Sequence, residues 1–121
     1  MKAKRSILIV EDEPLIAMML EDFLIELGHV VSAICETVEQ ALAEIEAQPV
    51  DMAILDVNLN GEAVWPVAAA LRTRATPFVL ASGGFVEQPP AEYADAPLIE
   101  KPYTIDRVSP VIEELLAARS D

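Results

Sequence analysis

Apolar residues fall into two alternating rhythms along this chain. Short unbroken runs, such as Ile7 to Val10, Ala53 to Leu55 and Phe78 to Ala81, alternate with stretches whose apolar positions recur every three or four residues. The first rhythm belongs to strands buried on both faces, the second to amphipathic helices. About five alternations of the two specify a parallel sheet covered by helices on both sides. A first strand is predicted near 6–10 and a first helix from about 14 to 27. Pro14 suits the first helical position, Asp12 or Glu13 lies near the cap, and Gly28 ends the helix. Ile16, Leu20, Phe23, Leu24 and Leu27 form its buried face.

A second strand follows at about 30–34, and Thr37 and Gln40 are spaced as a capping box for a helix running to about Ala47. Leu42 and Ile45 face inward on that helix. The third strand, about 51–55, is wholly apolar after Asp51, and Asn58, Asn60 and Gly61 are turn residues beyond it. A third helix runs to about Thr73, with Pro66 confined to its first turn. The fourth strand lies at about 77–81 and the fifth at about 97–100. Between them, Gly83 to Pro97 holds two glycines and three prolines, so a fourth helix there is short or irregular. A last helix starts near Thr104, with a kink expected at Pro110 and Ser109 as a second cap.

The chemistry sits at the downstream ends of the apolar runs. The first strand runs into Glu11-Asp12, the third into Asp56, the fourth into Ser82, and the fifth into Glu100-Lys101. If these strands are parallel neighbours, their carboxylates, hydroxyl and ammonium converge on one sheet edge, where open α/β sheets bind ligands. That donor set suits a magnesium ion and a transferring phosphoryl group.

Composition narrows the partners. At 121 residues the chain is long enough for one domain with one core, and its 53% hydrophobic content argues against disorder. A net charge of −13 repels nucleic-acid phosphates, so no nucleic-acid partner is expected. No apolar stretch approaches the length of a membrane span, roughly 18 residues. The basic N-terminus leads directly into Glu11-Asp12-Glu13 and is no secretory signal, which implies a cytoplasmic protein. The single cysteine, Cys35, excludes an internal disulfide and reads as a small buried hydrophobe.

Glu11-Asp12, Asp56 with Asn58, Ser82-Gly83 and Lys101-Pro102 together resemble the signature of a response-regulator receiver domain, over about Ser6 to Ala118. The resemblance implies a flavodoxin-like, doubly wound sheet of five parallel strands in the order 2-1-3-4-5, with about five helices. It implies Asp56 as phosphoacceptor, and Mg²⁺ held by Glu11, Asp12, Asp56 and the backbone carbonyl of Asn58. Lys101 and Ser82 would contact the phosphoryl group, with the Lys101–Pro102 peptide cis. The phosphodonor would be a sensor histidine kinase or a histidine phosphotransfer protein. The response would pass to a downstream protein target. A signalling phosphoacceptor is implied, catalysing only its own phosphorylation and dephosphorylation, in a single receiver domain without an output domain. Leu98 stands where the family usually has an aromatic, so the usual tyrosine–threonine coupling is not expected. The run from Pro77 to Phe85, with Lys101-Pro102-Tyr103, resembles a subgroup named for a Phe-Ala-Thr-Gly-x-Tyr pattern. Its members are often stand-alone receivers in general-stress or light-sensing pathways.

Other readings of the same residues fare worse. Asp56-Val57-Asn58-Leu59-Asn60-Gly61 matches the first half of an EF-hand loop, but Val67 occupies the position that needs a bidentate glutamate. A flavin phosphate would be repelled by Glu11-Asp12-Glu13, and an aspartate phosphatase would want a carboxylate where Asn58 sits. Trp65 reads as core packing, and His29 has no partner motif. Phe85 and Tyr103 suit either a switch or partner surface, or packing.

Overall fold

The computed structural model describes residues 5–59, 61–82, 90–93, 95–100 and 104–119. The elements in chain order are β1 (Ser6–Val10), α1 (Pro14–Glu26), β2 (Val30–Cys35), α2 (Val38–Ala47) and β3 (Met52–Asp56). They continue with β4 (Asn58–Leu59), β5 (Glu62–Ala63), α3 (Trp65–Thr73), β6 (Phe78–Ser82), a 3₁₀ turn (Ala91–Tyr93), β7 (Leu98–Glu100) and α4 (Ile105–Arg119). The five long-range strands pair in parallel in the order β2-β1-β3-β6-β7, which is the expected 2-1-3-4-5 arrangement.

Alternation along β1 and β3 divides the core into two layers. Leu8, Val10, Ala53 and Leu55 pack with α2 and α3, whereas Ile7, Ile9, Met52 and Ile54 pack with α1 and α4. Both central strands are buried on both faces, as their unbroken apolar runs require. Cys35 belongs to the first layer, and burial, with a smaller contribution from Glu44, pushes its thiol pKa up to about 11.

Local signals act much as their chemistry dictates. Gly28, at φ +92°, closes α1: its N–H donates to Ile25 O, and the His29 N–H donates to Leu24 O. The buried face of α1 is Ala17, Leu20 and Leu24, with Ile16 and Phe23 packed at its margins. The small Ala17 lets the helix approach the sheet. At α2, Thr37 Oγ1 accepts from the Gln40 N–H at 3.1 Å. Gln40 reaches back one residue further than a capping box requires, accepting the Glu36 N–H at 2.8 Å.

Two expectations are corrected. α4 is one helix through Pro110, not two segments with a new cap at Ser109. Pro110 is exposed, so its ring and the Asp106 carbonyl it leaves without a partner N–H face solvent. Val108, Ile112 and Leu116 remain in register on the sheet. The stretch after β3 is not a plain turn, because β4 and β5 pair there as an antiparallel ribbon. Among the described residues there are four α-helices, and the stretch expected to hold only a short or irregular helix carries a 3₁₀ turn at 91–93. Residues 83–89 and 94 of that stretch lie outside the described residues. No described helix is long and apolar enough to cross a membrane.

Candidate functional site

Parallel registry sets the site. Val10 pairs with Leu55, so Glu11 and Asp56 are the next residues of adjacent central strands. Glu11 continues the Ile7–Ile9 row and Asp56 the Met52–Ile54 row, which places both on the sheet face where α1 begins. The Glu11 N–H donates to Cys35 O at 2.9 Å, extending the β1–β2 ladder by one residue. The Asp12 carboxylate completes a triad: one carboxylate oxygen from each of Glu11, Asp12 and Asp56 lies within 4.8 Å of the others. Glu11 is 1% exposed and Asp56 6%, while Asp12 is half-buried.

Charge at this density must be screened or neutralised. Two carboxylates at 4.8 Å repel by about 3 kcal/mol at an effective dielectric of about 20. One compensation is visible: the Glu13 backbone N–H donates to Glu11 Oε2 at 3.1 Å. That donor comes from the turn that starts α1 and was not legible in side-chain types alone. The donor set itself, three hard carboxylate oxygens around a partly open centre, fits Mg²⁺ and excludes soft metals.

The neighbouring strand brings the hydroxyl. Asp56 pairs with Ala81, and the Val57 N–H donates to Ala81 O at 3.0 Å, so Ser82 follows at the same edge. Ser82 is buried and pairs with Glu100 on β7. Lys101 is one residue past Glu100 in the chain, and Lys101, Pro102, Tyr103, Gly83, Gly84 and Phe85 lie outside the described residues. Leu98 is half-exposed on β7, so no ring stands at that place on the strand.

The ribbon after Asp56 sets the remaining backbone. Asn58 pairs with Ala63 and Leu59 with Glu62, while the Val64 N–H donates to Val57 O at 3.3 Å. Leu59 and Val64 are buried beneath it. Asn60-Gly61 between two short extended segments was the signal for this hairpin, and Gly61 has the positive φ, +87°, that such turns require.

Known proteins align with this geometry. The family described as "Response regulator receiver domain" matches residues 7–96. The solution structure of SdrG from Sphingomonas melonis Fr1 is 50% identical, covers 96% of this chain and 99% of its own, and superimposes with a TM-score of 0.85. The BeF3-activated conformation of SdrG, from Pseudomonas melonis Fr1, is 49% identical with a TM-score of 0.81, over 96% of this chain and 99% of its own. The response regulator PhyR from Brucella abortus is 30% identical with a TM-score of 0.83; the match covers 97% of this chain but 49% of that one. Among curated proteins, none matches.

Proposed function

The chain belongs to the response regulator receiver family, and from that premise we propose that it accepts a phosphoryl group on Asp56 from a histidine-bearing phosphodonor. The donor is a sensor histidine kinase or a histidine phosphotransfer protein, and the signal leaves through a changed interaction surface. The observation that carries this reading is the meeting of Glu11, Asp12 and Asp56 within 4.8 Å at the carboxyl edge of the central strands.

In the transfer, an Asp56 carboxylate oxygen attacks phosphorus and the bond from phosphorus to the imidazole nitrogen breaks. Its electron pair stays on that nitrogen, which is left as ordinary histidine once a proton is taken up. Glu11, Asp12 and Asp56, with the Asn58 carbonyl, would hold Mg²⁺, which supplies positive charge against the phosphoryl oxygens. The Ser82 hydroxyl donates to one phosphoryl oxygen, and the Lys101 ammonium pairs with another. The place of Lys101 one residue beyond Glu100, the register neighbour of Ser82, supports its part. Hydrolysis of the aspartyl-phosphate resets the protein, so its catalysis is confined to its own phosphorylation cycle. The reading is of a cytoplasmic regulator in a two-component or phosphorelay pathway, with a receiver of the Phe-Ala-Thr-Gly-x-Tyr kind.

Incubation with a small-molecule phosphodonor and Mg²⁺ should add the mass of one phosphoryl group. Asp56→Asn or a chelator should abolish the gain. Asp12→Ala should lose Mg²⁺ binding and phosphorylation together, whereas Lys101→Ala and Ser82→Ala should keep the metal and lose phosphoryl occupancy. A mass gain that persists in Asp56→Asn overturns the assignment.

A further inference from the structure

The β4–β5 ribbon has a parity that bears on the acidic triad. In an antiparallel ladder, residue pairs alternate between those that exchange hydrogen bonds and those that do not. The Val64 N–H bond to Val57 O makes Val57–Val64 a bonded pair. Asn58–Ala63 is therefore the unbonded pair, and Leu59–Glu62, which closes the ribbon beside Gly61, is bonded again. The backbone N–H and C=O of Asn58 consequently point away from β5, and the ribbon consumes neither. The ribbon is also anchored: Leu59 and Val64 are buried, and the Val57 N–H at its base is tied to Ala81 O of β6. Its tip is exposed at Gly61 and Glu62.

We propose that the β4–β5 ribbon is the positioning element of the metal site, with the Leu59–Glu62 closing pair and Gly61 holding the Asn58 carbonyl turned outward beside Asp56. This inference rests on the proposed binding of Mg²⁺ at Glu11, Asp12 and Asp56. A loose loop of the same length would have to order itself on binding; a closed hairpin has that backbone entropy already removed. Gly61 and Glu62 touch no metal and act through the backbone of Asn58.

Glu62→Pro tests the ribbon directly, because proline lacks the N–H that closes the turn while the exposed Glu62 side chain contributes no core packing. Mg²⁺ affinity is read from amide NMR shifts of Glu11, Asp12, Asp56 and Asn58 during MgCl2 titration. The expected result is a loss of about fivefold or more in Glu62→Pro. Glu62→Gln, which removes only the charge, stays within about twofold of wild type. Gly61→Ala, strained at φ +87°, weakens binding, and Gly61→Asn, which tolerates positive φ, restores it. The glycine pair decides the matter if Glu62→Pro does not fold. Wild-type affinity in both Glu62→Pro and Gly61→Ala, or equal losses in Glu62→Gln and Glu62→Pro, overturns the ribbon's role. Wild type showing no Mg²⁺-dependent shifts at the triad overturns the metal site itself, a different outcome from the first.

Discussion

At the scale of single residues, Ala75 is the one non-glycine among the described residues with positive φ, at +56°. It closes α3 as Gly28 closes α1: its N–H donates to Arg72 O, and the Thr76 N–H donates to Leu71 O. An L side chain in that conformation costs about 1–2 kcal/mol. The extra freedom of glycine in the unfolded chain offsets about 0.5–1 kcal/mol of any relief. Ala75→Gly should therefore stabilise the protein by about 0.5–1 kcal/mol, read as a higher urea midpoint with unchanged slope. A lower midpoint would show that the strain is relieved locally. Gly28 announced the end of α1 in the sequence, whereas nothing in Arg74-Ala75-Thr76 announces a left-handed turn. Tertiary packing imposes it: Leu71 and Thr76 are both buried, and only a tight reversal between them starts β6 at Phe78.

At the scale of elements, the 3₁₀ turn at 91–93 is held by one aromatic and cationic stack. Tyr93 stacks on Trp65 at 5.5 Å between centroids and meets Phe78 edge-on at 6.0 Å. The Arg72 guanidinium lies 5.2 Å from the Tyr93 ring and 5.5 Å from Phe78, and donates to Glu92 O at 2.7 Å and to Asp95 Oδ1 at 2.9 Å. The hydrogen bond from Arg72 holds the Asp95 carboxyl below its ordinary pKa. Both partners of that ion pair are exposed, however, so the pair itself contributes little. The work of Arg72 lies in the stack and in the Glu92 carbonyl. Arg72→Ala should accordingly speed amide exchange at Tyr93 and Ala96 and alter the emission of Trp65, the only tryptophan, while Asp95→Asn should change neither. Equal effects from both substitutions would assign the turn to the ion pair. This stack was not legible in the sequence, because its members are scattered from 65 to 95 and each alone reads as ordinary packing. The central strands were legible, since two-sided burial writes unbroken apolar runs, whereas their order came from the family resemblance alone. The convergence of Glu11, Asp12 and Asp56 followed from those runs, but the ribbon beside them has strands of two residues, too short to carry a hydrophobic period.

At the scale of the whole molecule, 21 acidic residues against 8 basic ones leave a net charge of −13, and the question is where that charge is felt. Exposed acids are screened over about 10 Å at ordinary ionic strength, so neutralising one of them changes stability by under about 0.5 kcal/mol. The triad differs, because Glu11 and Asp56 are buried and their oxygens lie with that of Asp12 within 4.8 Å. Removing one of those charges relieves repulsion of order 1–3 kcal/mol. In chelator, Asp56→Asn should therefore unfold about 3–8 °C above wild type, whereas Glu46→Gln, an exposed site with the same change in net charge, should shift by no more than about 2 °C. Addition of Mg²⁺ should raise the wild-type midpoint and narrow its gap to Asp56→Asn, because an ion that binds the native site stabilises only the native state. On this expectation the repulsion is concentrated at the triad, and the remaining surface charge is a bystander to it. Equal shifts in Asp56→Asn and Glu46→Gln would locate the stress in the global charge instead. A lower midpoint in Asp56→Asn would mean that the bonds made by the carboxylate outweigh its repulsion.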